Sequence, residues 1–214
     1  MSFYSQVLRA PDQVVGQCFD SSARPSIVGR ALACITLGGA CFGFAAGMFR
    51  GWEQALTAAA KLPIVTLLTL AVAGPALCTI ARAFERPWDF ATTVALMLAA
   101  GARSSLVLLA VAPALGLIVD SGFGYSAVRL TALAGYSLGG LSGLSFLVRA
   151  FGAAPGRSGA LLCFALVFGT VGVQSAWLFR PFLGDPRDAE VPLFAHGRVE
   201  GGMLGALLGA RHER

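Results

Sequence analysis

Residues 31–49 read ALACITLGGACFGFAAGMF, a stretch with no charge and no proline. A bilayer crossing takes about 20 apolar residues, so this stretch is long enough to span. On it Gly39, Gly43 and Gly47 recur every four residues, which places them on one face of a helix. The same spacing returns at Gly135, Gly139 and Gly143, and again at Gly201, Gly205 and Gly209. Lipid tails are as apolar as leucine, so burial alone cannot draw two helices together there. Close backbone approach can, and a glycine stripe permits it. The first two ladders, which lie inside stretches long enough to span, therefore predict an all-α bundle of packed transmembrane helices.

Composition agrees. The chain is 56% hydrophobic and 13% charged, with a mean hydropathy of +0.73. A soluble domain of this size carries about a quarter charged residues. The net charge of +5 rests on arginine, with Lys61 the only lysine. No basic run or face suits nucleic acid. The expected partners are the lipid bilayer and other membrane proteins, or a second copy of the chain.

Working outward from the first span, five are expected: 31–49, 62–80, 90–119, 128–148 and 158–179. They make a bundle over 31–179, between an N-terminal segment, 1–30, and a mostly polar tail, 180–214. The first 25 residues lack the apolar core of a cleaved signal, so the first span is expected to act as an uncleaved anchor. Part of the N-terminal segment can lie on the membrane surface as a short helix, with Pro11 and Pro25 interrupting the pattern. Arginines concentrate at Arg82, Arg86, Arg149 and Arg157, which predicts a cytoplasmic N-terminus and an extracytoplasmic tail, in a bacterial-type inner membrane.

Arg103, near the middle of the third stretch, is the one charge whose position points to function. At bilayer centre it costs at least about 2.5–3.5 kcal/mol and faces a partner, the bundle interior or water. Two readings follow. Arg103 is a functional contact for an ion or substrate, or a surface helix runs over 88–102 and the true crossing is 104–119, with Arg103 at the boundary. The second is the expectation, because Ser104 and Ser105 follow the arginine and Trp88 and Asp89 open the stretch.

Enzymatic patterns are missing. Gly140-Leu141-Ser142-Gly143 matches the Gly-x-Ser-Gly of rhomboid-type intramembrane proteases, yet His196 and His212, the only histidines, lie beyond the last span. Without a histidine on a later span the serine has no base to activate it. Cys18, Cys34, Cys41, Cys78 and Cys163 are scattered singly and show no zinc spacing, so they read as small packing residues. No catalytic residue, metal or cofactor is expected.

The exit of the fifth span carries Trp177, Arg180 and Phe182, followed by Pro186 and, further on, Phe194. It reads as an interfacial anchor and stop signal. It is also a candidate docking surface, since apolar groups stand there among charges.

Lys61-Leu62-Pro63 leading into a span with an internal proline, an amphipathic approach to the third span, and Trp177-x-x-Arg180-Pro181-Phe182-x-Gly184 resemble uncharacterised bacterial multi-span proteins. The five-span, N-inside plan is similar to that of the Yip family of membrane proteins. The likeness covers roughly Trp52 to Pro186. It implies a non-enzymatic protein acting through partners or lipid, and it carries over no functional residue. The expected function is that of an accessory or scaffolding subunit of a larger membrane complex. The alternative is a small channel or transporter component using Arg103.

Overall fold

Pro11 and Pro25 start helices here, where the sequence led us to expect interruptions. Pro11 opens α2 (Pro11–Phe19), which follows α1 (Phe3–Arg9), and Pro25 is the second residue of α3 (Arg24–Gly47). In a first turn the missing N–H would have had no partner inside the helix, and the fixed φ already suits helix. The computed structural model describes residues 2–86, 88–153 and 156–178. A short 3-10 turn, Met48–Arg50, then leads through Gly51 (φ +110°) into α4 (Trp52–Ala83). That left-handed φ is open to glycine without strain. Next come α5 (Phe90–Asp120), α6 (Tyr125–Phe151) and α7 (Arg157–Leu178). The described residues contain no strand, and five helices, α3 to α7, are long and apolar enough to cross a membrane.

The helices run past the apolar stretches that signalled them. α4 holds 32 residues, with Pro63 and Pro75 inside it, and begins nine residues before the expected entrance at Lys61. Lys61 is 4% exposed and Gln54 1% exposed, so this early part of α4 belongs to the bundle. The reason is the glycine face of α3. A Cβ built on Gly43 would come to 2.5 Å from the carbonyl oxygen of Ala58, and one on Gly47 to 2.6 Å from Cα of Ala55. On Gly39 it would lie 3.3 Å from Pro63. Backbone therefore rides on backbone along this seam. Gly38, next to the ladder, turns its bare face to α5, where a Cβ would strike the carbonyl of Ser105.

α6 meets α5 in the same way. A Cβ on Gly139 would stand 3.2 Å from the Ser104 carbonyl oxygen, and on Gly143 3.0 Å from that of Ala100. On Gly135 it would meet the ring of Phe42 at 3.0 Å. The third glycine ladder lies outside the described residues. Outward-facing leucines such as Leu37, Leu133, Leu141 and Leu166 are exposed, as lipid-facing side chains are.

The N-terminal helices are part of the fold. Phe3, Val7, Val14 and Cys18 are buried in one cluster with Trp88, Leu96, Phe146 and Phe151. Fully burying side chains of this size stabilises by about 1.5–3 kcal/mol each. A second cluster, around Phe42, Leu62, Leu108, Leu115 and Val128, fills the opposite end.

Candidate functional site

α5 is one unbroken helix of 31 residues, so the expected division into a surface helix over 88–102 and a crossing over 104–119 is overturned. Its N-terminus is built to start at Phe90. Asp89 caps it, Oδ1 accepting from the Thr92 amide at 2.8 Å, and Thr93 Oγ1 donates to the Asp89 carbonyl at 3.0 Å. The half before Arg103 sinks into the bundle, where Leu96, Ala99, Ala100 and Ala102 are buried. A helix lying in the headgroups would not be enclosed in this way. At about 1.5 Å per residue, Arg103 stands about 20 Å along the axis from Phe90.

Its surroundings follow from the glycines of α6. Gly139 and Gly143 let α6 settle onto Ala100 and Ser104, and that close approach brings Ser142 to Arg103. Nε of Arg103 donates to Ser142 Oγ at 3.1 Å. Nη1 is buried and has no protein acceptor among the described residues. Ser142 behaves unlike Ser121 and Ser137, whose hydroxyls donate to the carbonyl four residues back, as helical serines commonly do. Among the described residues Ser142 Oγ accepts from Arg103 and donates to no protein group.

A polar track continues from this pair toward the face that carries α1 and α2. Ser145 Oγ donates to the Ser142 carbonyl at 2.7 Å. Two turns beyond Ser142, Arg149 Nη1 pairs with Asp12 Oδ2 of α2 at 2.9 Å. Among the described residues, Arg149 and Asp12 act electrostatically on Arg103. Helical side chains lean toward their own N-terminus, so Arg103 leans toward this face.

The same face is stitched by other arginines. Arg24 donates to the carbonyls of Cys18 and Phe19 and pairs with Asp89. Arg86 donates to the Phe151 carbonyl, and Arg157 to the Gly152 carbonyl at 2.9 Å. Both place positive charge where the carbonyls at the end of α6 lack helical partners. Burial pushes the Cys18 thiol of α2 up to about 12, with nearby Arg24 opposing. The amide and hydroxyl of Ser22 hold Asp20 below the usual carboxylate range.

A separate cavity of about 230 Å³ lies between α4, α5, α6 and α7, with an apolar lining that includes Leu70, Met97, Leu147, Phe164 and Phe168. Arg103 is not part of its lining. Among the described residues no three His, Cys, Asp or Glu side chains converge as a metal site would require.

Of the residues singled out from the sequence, the six glycines lie in the seams described, and Arg103 lies on the α6 side of α5. Trp177 is in the last turn of α7, while Arg180, Phe182 and Phe194 lie outside the described residues. Sequence reasoning missed Ser142 and Asp12 as partners of the arginines. The Gly-Leu-Ser-Gly match did draw attention to Ser142, but for a chemistry that needs a histidine. No family model, curated protein or solved structure matches the chain.

Proposed function

We propose that this multi-pass protein is a non-enzymatic accessory or scaffolding subunit of a larger complex in a bacterial-type inner membrane. The observation that carries this reading is the backbone-on-backbone seam of α3. Gly43 and Gly47 leave no clearance to α4, and Gly38 leaves none to α5. Alternating-access transport needs one group of helices to rock against another, and helices locked at this distance resist sliding because any shift drives carbonyls into Cα atoms. A rigid platform with an outer apolar surface suits a subunit that holds neighbours in place. The five-span plan resembles that of the Yip family, and this resemblance favours the same class of role.

A second reading, a channel or transporter component, is favoured by Arg103 and its bond to Ser142 well inside α5. Purification in mild detergent with identification of co-purifying proteins separates the two. A stoichiometric membrane partner that survives size-exclusion chromatography is the expected result. A chain that purifies alone and moves a solute or ion across reconstituted vesicles would overturn the scaffolding reading.

A further inference from the structure

Arg103, Ser142 and Arg149 line one side of the α5–α6 seam beneath the α1–α2 pair, and their hydrogen-bond inventory is unbalanced. Arg103 is a cation with five N–H donors and no acceptor. Its Nε is used by Ser142, and its buried Nη1 has no protein acceptor among the described residues. The Ser142 hydroxyl, already accepting that bond, has a proton to give. Arg149, about 10 Å further along α6, holds Asp12, whose side chain is 70% exposed. Two guanidinium groups and a hydroxyl thus face a single carboxylate. The missing component is an acceptor that carries negative charge.

We propose that this cluster binds an anionic phosphate group, supplied by the headgroup of a net-anionic phospholipid in the leaflet on the α1–α2 side, since the quaternary ammonium of a zwitterionic headgroup would face the two guanidinium groups. The depth suits a headgroup drawn inward. A buried arginine in a bilayer is relieved by reaching toward the interface and by local thinning that brings headgroups and water to it, and basic pockets between spans are used for lipid headgroups. Arg149, half exposed, is the outer member of the cluster, and Arg103 with Ser142 is the inner one. Asp12, on α2, pairs with Arg149, so the incoming phosphate competes with that carboxylate. The inference is independent of the accessory-subunit reading, since a scaffold and a transporter component could both use such a lipid.

The test uses the full chain in nanodiscs of phosphatidylcholine alone and of equimolar phosphatidylcholine and phosphatidylglycerol. Lipid retained after detergent extraction is measured by native mass spectrometry, and Tm is measured in each disc. The wild type should retain phosphatidylglycerol and show a higher Tm in the mixed discs. Arg103→Gln should lose both effects. Ser142→Ala, which removes one hydroxyl and fits a helix, should weaken retention by about tenfold or more, the value of a hydrogen bond to a charged group. It keeps the test open if Arg103→Gln fails to fold. Inorganic phosphate added to the phosphatidylcholine discs separates the two sources. Stabilisation by phosphate with no preference for phosphatidylglycerol would overturn the headgroup assignment and identify a free-anion site. Equal retention and equal Tm response in wild type, Ser142→Ala and Arg103→Gln would overturn the site altogether.

Discussion

Nη1 of Arg24, the first residue of α3, lies 3.0 Å from Oδ2 of Asp89, the residue that caps α5. One contact thus joins the end of the N-terminal pair to the start of the helix that carries Arg103. The Asp89 carboxylate is also the acceptor for Thr92. The hydroxyl and amide of Thr92, with Arg24 adding to them, hold the Asp89 carboxyl below its ordinary value of 3.8.

That shift gives a pH prediction. A carboxylate whose folded pKa is depressed contributes stability that is complete above its unfolded pKa and is lost as pH falls through the folded one. The Asp89 contribution should therefore be full at neutral pH and fade only below about 3.8. Asp89→Asn keeps a good cap but removes the charge, so it should flatten this acid limb and lower Tm less than Asp89→Ala does. Thermal unfolding of the three proteins between neutral and acid pH is the measurement. An acid limb identical in Asp89→Asn and wild type would show that the charge plays no part.

Glycine substitutions should sort by clearance. Gly43→Ala puts a methyl against a carbonyl and should cost about 1–3 kcal/mol, as overpacking does. Gly139→Ala, with more room, should cost less. Gly43→Leu and Gly139→Leu should both separate the helices. Gly140 meets nothing within 4 Å, so Gly140→Ala should be silent or mildly stabilising. If Gly43→Ala and Gly140→Ala melt together in detergent, the seams do not hold the bundle.

Cys18 reports on the docking of α1 and α2. Its thiol is fully buried and pushed up to about 12, so maleimide should label it slowly near neutral pH. Phe3→Ala should remove about 3–5 kcal/mol of packing and speed labelling of Cys18. Cys34, deeper in α3, should keep its rate. Equal acceleration at both would mean global unfolding in place of local release.

Topology is open to labelling in a background without the five native cysteines. Ala153→Cys, between Arg149 and Arg157, should react from the cytoplasmic side. Ser121→Cys, just past Asp120, should react from the other. The reverse pattern would invert the orientation.

All five spans were legible because length and hydropathy are local properties of the chain: about 20 apolar residues form a helix across a bilayer whatever surrounds them. The glycine spacing likewise showed which helix faces can approach closely, since it depends only on helical period. The sequence alone did not show which partner each face meets. That Gly43 rides on Ala58 and Gly143 on Ala100 is a matter of tertiary packing. The N-terminal segment hid its two helices because its prolines read equally well as breaks or as starts, and only the burial of Phe3, Val7, Val14 and Cys18 against Trp88 and Phe151 decides for starts. Arg103 hid its place for a related reason. An arginine followed by two serines marks a membrane boundary or a polar contact with the same letters, and the choice rests on Ser142, 39 residues away on another helix. Charge and hydrophobicity along the chain determined that this protein crosses a membrane; the close approach of α6 to α5 decided what Arg103 touches.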